Sequence, residues 1–219
     1  MIFIHVMRVV VLPVGWSNQI MLYFAFWPLR YDPAVLGTAP GGLAADVWSF
    51  VTYSLLHGSL MHIGFNLAWM AIFGSAVARR FGTPRFLLLS VLCAVAGAAT
   101  HLLFHFGEAS PMIGASAAVS GHMAVALRFI FQLGGPLGAF RRQDAAAYRV
   151  PAVSLREAMS NTQVVAFTAV WFGFNIVFGL VGSSLLGGGA TIAWEAHIGG
   201  FLMGLVLFPL LDPVPRQTR

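Results

Sequence analysis

The sequence predicts an all-α, polytopic membrane protein: a bundle of six transmembrane helices forming one domain over residues 1–219. Three observations carry that expectation. Of the 219 residues, 58% are hydrophobic and only 9% are charged, whereas a soluble domain averages about 25% charged residues. Mean hydropathy is +0.82. Several apolar runs reach the roughly 20 residues that a helix needs to cross a bilayer core. This composition excludes a cytosolic enzyme, a disordered tail and a secreted disulfide scaffold. The single cysteine, Cys93, excludes intrachain disulfides and cysteine-rich metal sites.

Residues 1–27 form the weakest span, because Arg8 and the Ser17-Asn18-Gln19 patch interrupt it. They read as a short or tilted first helix that ends in an interfacial segment, and they lack the small-residue cleavage site of a signal peptide. Segment 30–57 is an outer loop whose Trp48, Phe50 and Tyr53 suit a membrane interface. The second span, 60–78, carries His62 and Asn66. Apolar runs 86–106, 112–133, 163–182 and 192–211 supply spans three to six. Segment 134–160, rich in Gly, Pro and Arg, reads as a cytoplasmic loop.

The formal net charge of +5 comes from twelve basic residues, all arginine. Arg79, Arg80 and Arg85 lie between spans two and three. Arg141, Arg142, Arg149 and Arg156 lie between spans four and five, and Arg216 and Arg219 follow span six. The alternate connections hold only Arg30. The positive-inside rule therefore places the Arg-rich loops and the C-terminus in the cytoplasm, so spans two, four and six run inward from the outer side. These arginines are read as orientation signals without a role in chemistry.

Polar groups inside a span are costly and mark function by default. Span two offers His62 and Asn66, span four begins Gly114-Ala115-Ser116, and span six offers His197 just after Trp194 and Glu195. Each lies near the outer end of an inward-running helix, so at about 1.5 Å rise per residue they share one shallow depth. A serine hydroxyl becomes a nucleophile when a neutral histidine takes its proton. Ser116 falls in the first turn of its helix, where free backbone N–H groups and the positive dipole end stabilise an oxyanion. His62 and Asn66 share a helix face and can both donate to that oxyanion. Gly200 and Gly204 follow His197 on roughly one face and let spans four and six approach closely. Glu195 points away from His197, so the expected arrangement is a Ser-His dyad without a third acid. Ser120 and His122 lie nearby with no assigned role.

This pattern resembles the rhomboid family of intramembrane serine proteases. His62-Ile63-Gly64-Phe65-Asn66 matches its HxxxN motif, Gly114-Ala115-Ser116 its GxS motif, and Ala196-His197-Ile198-Gly199-Gly200 followed by Gly204 its last-helix motif. The agreement in order and spacing covers about residues 28–211. It implies a rhomboid-like six-helix fold with Ser116 as nucleophile and His197 as general base. His62, Asn66 and the Ser116 N–H would bind the oxyanion, and Gly114, Gly200 and Gly204 would pack the helices beside the site. Substrates would be single-span membrane proteins cut near the outer membrane face. No cofactor is implied, and the partners are those substrates and the lipid bilayer, with no nucleic acid. The all-arginine usage points to a GC-rich genome and so to a bacterial inner (plasma) membrane. Ala117 stands where the family often has Gly, Ala78 where it often has Glu, and Ser120 where some members stack a Tyr on the catalytic His.

Two other functions compete. One is a catalytically inactive rhomboid-like protein that binds membrane clients; such proteins have usually lost the Ser or the His, and both are present. The other is a metal-handling transporter using His101 and His105, an i, i+4 pair at the outer end of span three, with His57 also outside. No carboxylate or Cys is expected at matching depth, so no metal site is assigned. There is no HExxH motif for a zinc protease, and no pair of buried aspartates for an aspartyl mechanism.

Overall fold

A computed structural model describes residues 1–138, 144–185 and 192–215, and its elements are helical. Arg141, Arg142, Arg216 and Arg219 lie outside the described residues. Among the described residues, backbone pairs in strand fashion only between Phe26 and Met112. Four helices among the described residues are long and apolar enough to cross a membrane: Leu60–Phe81, Thr83–His105, Thr162–Gly179 and Trp194–Leu211.

The N-terminal region is two short helices, not one span. Helix α1 (Ile2–Val6) continues as a π-helical stretch over Met7–Val11, and α2 (Val14–Phe24) follows Pro13. Pro13 has no N–H to extend the first helix, and its ring forces the break. The run Ile2–Val11 spans about 15 Å at 1.5 Å per residue, half a bilayer core. It is fastened by His5, whose Nδ1 lies 3.1 Å from the His57 carbonyl oxygen, and by Arg8, which donates to the same oxygen.

Segment 30–57 is ordered by a buried ion pair. It contains α3 (Gly42–Thr52), and Arg30 donates to Asp46 Oδ1 at 3.1 Å, to the Pro40 carbonyl at 2.7 Å and to the Leu22 carbonyl. Asp46 accepts in turn from the Gly37 N–H through Oδ2 at 3.2 Å. Arg30 is thus a loop clamp.

The second span joins α4 (Leu60–Trp69) to α5 (Ser75–Phe81) through a π-helical stretch, Met70–Gly74. Ser59 caps α4 by accepting from the His62 N–H at 3.1 Å, which satisfies one of the free donors of the first turn. Gly82, at φ +75°, reverses the chain into α6 (Thr83–His105), with Pro84 near its start. A short α8 (Leu155–Ala158) precedes α9 (Thr162–Leu185), and α10 (Trp194–Leu211) completes the bundle.

The fourth span departs from expectation. Instead of a helix over 112–133, α7 covers only Ser116–Ala126, and every residue from Ala117 to Ala126 is buried. A helix surrounded by protein need not cross the whole hydrocarbon layer, since its neighbours can satisfy the backbone beyond it. Arg128, just past its end, donates from Nε to the Val153 carbonyl at 2.8 Å and lies 4.6 Å from the Phe208 ring.

Glycines set the packing around α7. A Cβ on Gly200 would lie 2.0 Å from the Ala117 carbonyl oxygen, and one on Gly204 2.4 Å from that of Gly121. Residues 117 and 121 therefore meet 200 and 204, and α7 and α10 run parallel. Gly97 faces the Ala117 Cβ and Gly121 faces Cys93, so α6 runs antiparallel to α7. Gly74 faces the His122 ring, while His62 faces Gly114 at the other end. The second span is thus parallel to α7 and α10, as arginine counting predicts for spans two, four and six.

At the far end Arg80, 4% exposed, closes the bundle. It binds Asp212 through Nε and one terminal nitrogen at 2.8 and 2.9 Å, and the carbonyls of Tyr148 and Val150 at 2.9 and 2.8 Å. An arginine read as an orientation signal is therefore also a structural clamp.

Candidate active site

Ser116 is the first residue of α7 and is half-buried. The N–H groups at this helix start have no intrahelical acceptors. Gly114 precedes it at φ +120°, a conformation that L side chains rarely adopt, and its N–H donates to the Tyr53 carbonyl at 3.0 Å. A Cβ at residue 114 would lie 2.6 Å from His62 Nε2 and 3.8 Å from Ser116 Oγ. Both functional groups therefore approach Gly114, and His62 packs closer than a side chain at this position would allow.

His62 stands in the first turn of α4. Its Nδ1 accepts a long hydrogen bond, 3.5 Å, from the Gly58 N–H, which leaves the ring proton on Nε2. That nitrogen is the one nearest Gly114. Asn66, one turn further and buried, donates one amide hydrogen to the His62 carbonyl at 3.0 Å. Its second hydrogen remains for another acceptor.

His197 lies in the first turn of α10, three residues before the Gly200–Ala117 contact, and Ser116 is the neighbour of Ala117. Among the described residues no hydrogen bond links Ser116 Oγ to His197. The ring is instead held from behind: His197 Nδ1 is hydrogen-bonded to Asn175 Oδ1 on α9. The amide orientation follows from its other end, since Asn175 Nδ2 donates to the Trp171 carbonyl at 2.7 Å. Asn175 Oδ1 can only accept, so His197 carries its proton on Nδ1 and presents a lone pair on Nε2.

Asn175 is the residue that sequence reasoning missed. It is 6% exposed in the middle of an apolar helix, so the rule that flagged Asn66 applied equally to it. The expected site rests on spans two, four and six, and α9 is not one of them. Ser120, also unassigned, donates from Oγ to the Ser116 carbonyl at 2.7 Å. His122 is fully buried one turn below Ser116's neighbours, with Nε2 2.9 Å from Ser90 Oγ and its ring stacked on Phe86. Both belong to the core.

Glu195 turns away from His197, as its place on the helix predicts. It does not stand alone: its carboxylate lies 2.5 Å from His101 Nδ1 and 3.3 Å from His105 Nε2. The expectation that this histidine pair lacks a carboxylate at matching depth is therefore corrected. Glu195 is far from His101 in sequence, and only the antiparallel packing of α6 against α10 brings them level. A surface cavity lined by Phe131, Gln132, Val153 and Asn161 among others sits beyond the opposite end of α7 from Ser116.

Long apolar helices, an enclosed central helix and a cluster of polar side chains at one end define a multi-pass integral membrane protein. The chain belongs to the rhomboid family, whose rhomboid-domain model matches residues 44–212. Among its relatives is the rhomboid protease GlpG of Enterobacter sp. (strain 638), 33% identical over 86 residues. That alignment covers 39% of this chain and 27% of the relative, so the chain spans under a third of that protein's length.

Proposed function

We propose that the protein is an intramembrane serine endopeptidase that cuts single-span membrane proteins near the outer membrane face. Ser116 Oγ attacks the scissile carbonyl carbon and gives its proton to His197 Nε2. The carbonyl becomes an oxyanion beside the Ser116 N–H, His62 Nε2–H and the free Asn66 amide hydrogen. His197 returns the proton to the departing amine as the peptide C–N bond breaks, leaving an ester on Ser116. Water, deprotonated by the same imidazole, then hydrolyses that ester. Asn175 holds the ring tautomer that this cycle requires, a positioning role taken by a carboxylate in many serine proteases. With Ser120 where some family members stack a Tyr, hydrogen bonding from α9 replaces ring stacking as the restraint on His197.

One observation carries the reading: His62 Nε2 and Ser116 Oγ both approach Gly114, 2.6 and 3.8 Å from where its Cβ would stand, so the two groups face one point at the head of α7. The Arg-rich ends face the cytoplasm in this proposal, which puts Ser116 and His62 at the outer side. The test is labelling by a serine-reactive fluorophosphonate together with cleavage of a single-span substrate. Ser116→Ala is expected to abolish both. His197→Ala is expected to abolish cleavage while leaving the melting temperature near wild type. A folded protein that neither labels nor cleaves would instead favour the client-binding reading, and turnover retained in His197→Ala would refute the general base.

A further inference from the structure

A second polar constellation lies beside His197, toward the end of the bundle, and the protease reading makes no use of it. His101 and His105 share a face of α6, with ring centroids 4.4 Å apart. Glu195, 2% exposed, reaches both from the first turn of α10. One ligand atom from each of the three residues lies within 4.8 Å of those of the other two. Glu108, on the loop after α6, places Oε2 2.9 Å from His105 Nδ1.

The hydrogen-bond pattern asks for a cation. Glu108 accepts from Nδ1 of His105, so the neutral ring turns a lone pair on Nε2 toward Glu195 Oε1, 3.3 Å away. That oxygen is itself an acceptor, already shared with His101. Two acceptors facing each other at that distance repel unless a positive centre sits between them. A second proton on His105 would serve, and so would a metal ion.

We propose that this cluster binds a divalent transition-metal ion, Zn²⁺ by preference, through His101 Nδ1, His105 Nε2 and Glu195 Oε1. Tetrahedral zinc with Zn–N and Zn–O bonds of about 2.0–2.2 Å sets neighbouring ligand atoms roughly 3.3–3.5 Å apart. The His105–Glu195 separation already meets this, and the 2.5 Å His101–Glu195 contact opens by about 1 Å through side-chain rotation. Three protein ligands leave the fourth position for water. Glu108 supplies the outer carboxylate that fixes a metal-binding histidine. Two imidazoles select zinc or a similar borderline ion over Ca²⁺ and Mg²⁺. The His105 side chain is 34% exposed, which gives the ion its way in. Bound there, the ion ties the tail of α6 to the head of α10, two residues from His197.

The test is a zinc titration of the full chain, free of any histidine tag, in detergent after chelator treatment, with a chromophoric chelator as competitor. One equivalent of Zn²⁺ is expected to bind and to raise the melting temperature. His105→Ala, at a part-exposed helix end, and Glu195→Gln should each weaken binding at least tenfold, and Glu108→Gln about 10- to 100-fold. Each variant is melted without zinc to show that it is folded. Ser116→Ala should keep the wild-type zinc affinity, which separates this site from the protease chemistry. Absence of saturable binding to folded wild type would overturn the proposal. Unchanged affinity in both His105→Ala and Glu195→Gln would overturn it equally, by placing the ion elsewhere.

Discussion

Gly200→Ala puts a methyl group 2.0 Å from the Ala117 carbonyl oxygen, 2.7 Å from its carbonyl carbon and 3.0 Å from its Cα. All three are backbone atoms, so no side chain can rotate aside. Favourable contact begins at about 3.5 Å, and α10 must therefore withdraw from α7 by roughly 1.5 Å at this level. Overpacking of this kind costs about 1–3 kcal/mol, visible as a lower melting temperature in detergent. The larger effect should be on turnover. Ser116 adjoins the contact and His197 is one turn above it, and a misplacement of about 1 Å between reacting groups costs roughly 100-fold. Cleavage of a single-span substrate should thus fall about 100-fold at a temperature where the variant is still folded. Gly173→Ala on α9 is the control: its Cβ would meet nothing within 4 Å, and alanine is the better helix former by about 1 kcal/mol. It should melt at or slightly above wild type and cleave normally. Wild-type melting and wild-type turnover in Gly200→Ala would refute the close crossing as the device that brings the two helices together.

Asn175→Ala removes one neutral hydrogen bond from His197 and should lower kcat about tenfold with KM unchanged; a KM effect alone would assign Asn175 to substrate binding. Arg80→Ala leaves the Asp212 carboxylate and two carbonyls without their buried partner, at a cost of about 3–5 kcal/mol in thermal stability. Arg80→Lys should not restore it, because an ammonium cannot reproduce the forked contact; full recovery would reduce the clamp to a simple charge. Burial, with the neighbouring His62, holds the His57 ring well below its usual range, at about 4. The unfolded chain therefore takes up a proton near pH 6.5 that the folded chain refuses, and stability falls as pH drops from about 6.5 to about 4, by up to about 3 kcal/mol. His57→Gln should flatten the melting temperature over that interval, and an unaltered slope would remove His57 as its source.

Much of this molecule is legible along the chain because a bilayer imposes a one-dimensional rule. Apolar length against hydrocarbon thickness locates the spans from Leu60–Phe81 to Trp194–Leu211, and arginine counting orders spans two, four and six in one direction. Spacing within a helix likewise needs no tertiary information: His62 with Asn66, and Gly200 with Gly204, share a face because four residues make about one turn. The family motifs rest on that local regularity.

Tertiary structure decided the rest. Fixed length fails for α7, because a helix enclosed by protein answers to its neighbours and not to lipid thickness. Arg30 and Arg80 carry the same charge as the loop arginines, yet their meetings with Asp46 and Asp212 depend on chain reversals that charge counting does not register. Asn175 reaching His197, and Glu195 reaching His101 and His105, depend on how far each helix is rotated about its axis and slid along its neighbour. Those two quantities are set by small-residue contacts such as Gly97 with Ala117 and Gly200 with Ala117. They arise between helices, where the pattern within any single helix holds no record of them.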